Sequence, residues 1–121
     1  MTHPFHSADV DVDAERAKEL IDEGGVQLVD VREPYEWDAG RIAGARHVEL
    51  ERLASEAESL DRDRPVLFYC RTGDRSGMAA QAFREAGYDA YNLAGGIAAW
   101  AGAGRSLEPD GGAVVQPLPP S

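Results

Sequence analysis

Apolar residues recur along this chain with two different periods, and the switches between them predict its elements. Ala14, Ala17, Leu20 and Ile21 share one face of a 3.6-residue repeat, so residues 13–23 read as an amphipathic helix closed by Gly24. Val26-Gln27-Leu28-Val29-Asp30-Val31 is mostly apolar and rich in β-branched residues, which predicts a strand. Pro34 and Gly40 interrupt the next stretch and leave room for a short helical turn around residues 35–38. Leu50, Leu53, Ala54, Ala57 and Leu60 mark a second amphipathic helix. Val66-Leu67-Phe68-Tyr69 has no position suited to a solvated face, so it is expected at the centre of a sheet. Met78, Ala79, Ala82, Phe83 and Ala86 give a third helix with Gly87 in the stop position. Ala90-Tyr91-Asn92-Leu93 reads as a short strand, and Gly95-Gly96 leads into a last turn carrying Ile97 and Trp100.

Strands alternating with helices imply an α/β fold, a parallel sheet covered on both faces. No internal repeat is present. Beyond Leu107 the chain turns rich in Gly and Pro and ends Gln116-Pro117-Leu118-Pro119-Pro120-Ser121, a composition that predicts disorder. The chain is therefore divided into an N-terminal extension (1–8), one domain (9–108) and a disordered tail (109–121).

Composition narrows the function. At 121 residues the chain suffices for one domain around one hydrophobic core. A formal net charge of −10 with no basic run argues against nucleic acid or an anionic membrane as partner, because both need a basic face. No stretch approaches the roughly 18 apolar residues of a membrane span. The N-terminal residues have neither a basic start nor an apolar stretch, so a cytoplasmic address is expected. A single cysteine forms no internal disulfide, and a reducing compartment suits a thiol that must stay free. His3, His6 and His47 make no metal-ligand grouping with it, so none of them is assigned a role.

That cysteine carries the chemistry. Cys70 comes directly after the apolar run 66–69 and opens Cys70-Arg71-Thr72-Gly73-Asp74-Arg75-Ser76, after which a helical pattern begins. Ligands of parallel α/β sheets bind at the C-terminal ends of the strands, where this residue falls. A thiol between a strand end and a helix N-terminus meets inward-pointing N–H groups, a positive dipole end and here two arginines, all of which favour thiolate. A lone cysteine is often only a small buried apolar residue, but the loop around this one points to a nucleophile. Gly73 allows several N–H groups to converge on one point. Arg71 and Arg75 have the planar paired donors that suit an oxyanion. Asp30 and Arg32, at the end of an earlier strand, are expected to pair and to support the pocket. Trp37 and Trp100 are expected in packing.

The motifs, taken in order, resemble those of a known family. Val29-Asp30-Val31-Arg32-Glu33, Gly40-Arg41-Ile42-Ala43-Gly44-Ala45, the loop 70–76 and Asn92-Leu93-Ala94-Gly95-Gly96-Ile97 with Trp100 are similar to the signature segments of single-domain rhodaneses, the thiosulfate and persulfide sulfurtransferases. The resemblance spans about residues 9–108. It implies a rhodanese-like fold, a mostly parallel five-stranded sheet with helices on both faces. It also implies a cofactor-free double displacement through a Cys70 persulfide. The backbone of 71–75 (Arg71, Thr72, Gly73, Asp74, Arg75) would bind the donor, with Asp30, Arg32 and Ser76 in support. Implied partners are a small-molecule sulfur donor, a thiol or cyanide acceptor, and in some settings a sulfur-accepting protein. Arg41 and Ala43 depart from the usual histidine and proline, and Asp74 puts a carboxylate inside an anion-binding loop. Phosphatases of this fold separate cysteine and arginine by five residues, whereas four separate Cys70 from Arg75, which argues against phosphate esters. A non-catalytic persulfide relay or protein-binding module is the alternative from another class.

Overall fold

The computed structural model describes residues 10–115. In chain order it contains β1 (Asp11–Val12), α1 (Ala14–Glu23), β2 (Gln27–Asp30), α2 (Pro34–Ala39) and β3 (Arg46–His47). A 3-10 turn (Leu50–Arg52), α3 (Leu53–Glu56) and a second 3-10 turn (Ala57–Ser59) precede β4 (Val66–Tyr69), α4 (Asp74–Glu85), β5 (Ala90–Leu93) and α5 (Gly96–Gly102). The five strands form one sheet in the order β1-β5-β4-β2-β3, with every pair parallel.

All four residues of β4 are fully buried, as expected for a central strand flanked by β5 and β2. Successive side chains of a strand point to opposite faces. Val66, Phe68 and Cys70 accordingly join one core cluster with Leu53, Ala79 and Phe83, under α3 and α4. Leu67 and Tyr69 join the other with Ala17, Ile97 and Trp100, under α1 and α5. Cys70 thus continues the α4 face of the sheet, and the chain must turn there to enter the helix that covers it.

Three expectations need correction. The amphipathic run 50–60 is not one helix, because it breaks into two 3-10 turns around one turn of α-helix. Met78, read as an apolar-face position, is 63% exposed, since α4 begins at Asp74 and turns that residue outward. The tail expected to be disordered from residue 109 is packed as far as 115. Arg41 and Glu108 form an antiparallel bridge, Ala113 N–H donates to the Ala39 carbonyl at 2.8 Å, and Val114 packs on the α5-side core. Gly40 permits this return, because a Cβ there would sit 2.6 Å from the Ala113 carbonyl oxygen. The extension 1–8 and the segment 116–121 lie outside the described residues. No helix among the described residues is long and apolar enough to cross a membrane.

Candidate active site

The loop after β4 is shaped largely by backbone contacts. Gly73 caps α4 with φ 107°, a conformation other residues rarely adopt. That turn brings the Gly73 N–H to 3.1 Å from Cys70 Sγ and the Ser76 N–H to 3.5 Å. The outer wall comes from α5. Ile97 N–H donates to the Cys70 carbonyl at 2.9 Å and Ala98 N–H to the Arg71 carbonyl at 3.0 Å. With those carbonyls drawn outward, the loop's N–H groups face the sulfur. Gly96 makes the contact possible, since a Cβ there would lie 2.4 Å from the Arg71 oxygen and 2.5 Å from the Cys70 oxygen.

Cys70 is 1% exposed. Burial pushes its pKa up, but the groups within reach that can donate to it, the Ser76 side chain and N–H and the Gly73 and Thr72 N–H groups, outweigh that and hold it below the ordinary thiol value. The site therefore favours the thiolate form of Cys70 through a nest of N–H groups. It can attack a sulfur atom bonded to a leaving group and can hold the charge that returns.

The arginines differ in what they face. Arg75 is held by Glu36, with Nη1 to Oε1 at 2.8 Å and Nη2 to Oε2 at 3.0 Å. Glu36 is fully buried in α2 and also accepts from the Glu33 N–H at 3.1 Å. Burial raises the Glu36 pKa, yet the Arg75 guanidinium and the Glu33 N–H pull its carboxyl below the usual carboxylate range. Arg75 in turn lies close enough to Cys70 to interact with its charge. Arg71 is half-buried and its Nε has no hydrogen-bond partner among the described residues. Asp74, exposed in the first turn of α4, does not take Arg75, which belongs to Glu36. Thr72 is exposed at the loop's edge.

Asp30 and Arg32 are both fully buried and joined by a forked contact, Nη2 to Oδ2 at 2.7 Å and Nε to Oδ1 at 3.0 Å. Arg32 also donates to the Gly40 carbonyl at 2.7 Å. The pair ties the end of β2 to the α2–β3 loop and makes no hydrogen bond to the sulfur. Ser76 does reach it, with Oγ 3.3 Å from Sγ. Trp37 stacks on His47 and Trp100 is buried under the sheet, both in packing. A cleft of about 400 Å³ beside Arg75 is lined by Val31, Leu50 and three acids, Glu33, Glu49 and Glu51. No group of His, Cys, Asp and Glu among the described residues is arranged to hold a metal ion.

Comparison with known proteins places this geometry. The family model described as rhodanese-like domain matches residues 13–103. The chain belongs to the rhodanese-like family. It is 46% identical over 77 residues to the protein YqhL of Bacillus subtilis, covering 63% of this chain and 61% of that one. It is 37% identical over 96 residues to the thiosulfate sulfurtransferase GlpE of Pseudomonas aeruginosa, covering 78% of this chain and 83% of GlpE. The crystal structure of a rhodanese-related protein from Thermoplasma volcanium superposes with a TM-score of 0.75 at 28% identity, over 80% of this chain and 95% of that one. The all-parallel five-stranded sheet is that of the rhodanese-like fold.

Two further residues at this rhodanese-like site are assigned no role from the sequence. Glu36 looks like one more polar position on a short helix, and only the fold buries it against Arg75. Asn92 does leave a trace, as the one amide in the short apolar strand Ala90–Leu93. Its side chain is 5% exposed and contacts Ser76.

Proposed function

We propose that this rhodanese-like domain is a sulfurtransferase that carries a sulfane sulfur as a Cys70 persulfide. The observation that carries the reading is the convergence of the Gly73 and Ser76 N–H groups on a buried sulfur at the C-terminal end of β4. Cys70 thiolate attacks the outer sulfur of thiosulfate or of a persulfide or polysulfide. The bond to the leaving group breaks, and that group departs with the electron pair. A thiophile, cyanide in an assay or a thiol in the cell, then attacks the outer sulfur and returns the pair to Cys70. The N–H groups of 71–75 stabilise the charge at both stages, and Arg71 is the cation free to meet an anionic donor. Arg75 is a weaker donor ligand than its position suggests, because its charge is matched by Glu36. Ser76 supports the sulfur directly, and Asp30 with Arg32 supports the strand end from which the loop springs. A reducing cytoplasm, where a lone thiol stays free, suits this chemistry.

The acidic cleft and the pairing of Arg75 favour a second reading, a relay that loads from and unloads to a protein with little small-molecule turnover. Thiosulfate:cyanide transfer by wild type and Cys70→Ser tests the proposal. Turnover in wild type that vanishes in the variant is expected. Equal turnover in both would overturn the catalytic reading, and loading without turnover would select the relay.

A further inference from the structure

Behind the sulfur, three side chains form a polar chain that reaches Cys70 through Ser76. Ser76 Oγ lies 3.3 Å from Cys70 Sγ and 2.5 Å from Asn92 Oδ1. Asn92 Nδ2 lies 2.9 Å from Asp11 Oδ1 and 3.2 Å from the Gly73 carbonyl oxygen. A hydroxyl has one proton, so Ser76 serves either the sulfur or Asn92.

The choice is made at the far end of the chain. A carboxylate and a carbonyl only accept hydrogen bonds, so the two hydrogens of Asn92 Nδ2 are committed to Asp11 and Gly73. That network fixes the amide's orientation and leaves Oδ1 facing Ser76. An amide oxygen also only accepts. Ser76 is fully buried and Asn92 nearly so, and a buried acceptor left without its donor is costly. We propose that Asn92, anchored by Asp11 and the Gly73 carbonyl, holds the Ser76 proton away from Cys70, so that Ser76 meets the sulfur with a lone pair.

Ser76 then accepts from the thiol S–H, and the thiolate is stabilised by the loop's N–H groups and the nearby Arg75 guanidinium, without the Ser76 hydroxyl. A thiolate held by fewer donors is the stronger nucleophile and the slower leaving group. In the persulfide the charge sits on the outer sulfur, and the inner sulfur beside Ser76 is neutral. When an acceptor thiolate attacks the outer sulfur, the S–S bond breaks and its electron pair re-forms a thiolate against that lone pair. Asn92 is thus a positioning residue that favours loading over release. The inference rests on Cys70 being the sulfur carrier, but its test needs no sulfur transfer.

Several charged groups surround the loop, and they are unchanged by the variants used. They are Arg71 and Asp74 on the loop and helix start, Arg75 with Glu36 from α2, Asp30 with Arg32 at the end of β2, and Asp11 behind Asn92. Because Cys70 is buried, its titration is best read as thiolate ultraviolet absorbance against pH, with Cys70→Ser as the blank. Ser76→Ala is expected to lower the Cys70 pKa or leave it in place. A rise of about one unit, the loss of a donor to a charged group, would overturn the proposal. Asn92→Ala releases the Ser76 proton toward sulfur and is expected to lower the pKa by about one unit, roughly tenfold in thiolate fraction below the midpoint. Adding Ser76→Ala to that variant should reverse the fall, and no fall in Asn92→Ala would equally overturn the proposal. Should Asn92→Ala fail to fold, the Ser76→Ala comparison decides alone. Sulfur loading, measured by mass, separately reports whether Cys70 carries sulfur at all.

Discussion

Burial and hydrogen bonding pull on the Cys70 thiol in opposite directions, and the donors around it win. Its thiolate titration is therefore expected to have its midpoint below that of an ordinary free thiol, and a midpoint above that of a free thiol measured alongside would mean the N–H nest does not act on the sulfur. Glu36 has a depressed pKa in the folded protein, so its unfolded form takes up a proton first as pH falls. The Glu36–Arg75 pair thus stabilises the fold above roughly pH 4.3, and that contribution is lost as pH drops through the folded value. Glu36→Gln is expected to cost about 2 kcal/mol near neutral pH, less than a fully buried pair because Arg75 is a quarter exposed. It should also flatten the acid limb of a pH series of urea titrations, and an unchanged acid limb would contradict the assignment. The proposed nucleophile is legible in the sequence because a cysteine between an apolar run and Arg-Thr-Gly-Asp-Arg has few other readings. Glu36 is not, because one-dimensional pattern marks a polar residue as exposed unless tertiary structure supplies its partner.

The strand-to-loop-to-helix unit 66–85 works only because a separate element, α5, grips it from outside. Gly96 is where the two backbones meet, with φ 60° and no room for a Cβ beside Arg71 and Cys70. Gly96→Ala is expected to destabilise by at least ~2 kcal/mol from backbone strain and collision, and to lower sulfur loading further by disturbing the loop. Gly102→Ala, in the same helix with open space around it, is the control and should be neutral or stabilising by up to about 1 kcal/mol. Equal Tm shifts in the two variants would mean that the clamp is not what Gly96 provides. Elements with a clear period or an unbroken apolar run are readable from sequence, as α1 and β4 illustrate. The strands β1 and β3 have two residues each, too short to show an alternation, and exist because their neighbours β5 and β2 present edges to them.

Across the whole molecule the charge is −10, and acids surround the approach to Arg75. A dianion such as thiosulfate is repelled on the way in, so its apparent KM is expected to fall as salt screens that field, and to fall in Asp74→Asn. A KM that rises with salt and in that variant would show the approach to be attractive instead. The returning segment 108–115 closes the fold over Gly40, a contact that composition concealed because Gly and Pro also build tight, packed turns. Sheet, loop and clamp all converge on one sulfur atom. Incubation with thiosulfate, then desalting and intact mass measurement, reads it directly. Wild type is expected to gain one sulfur that cyanide removes, and Cys70→Ser to gain none. An unchanged wild-type mass, or the same gain in Cys70→Ser, would contradict a Cys70 persulfide.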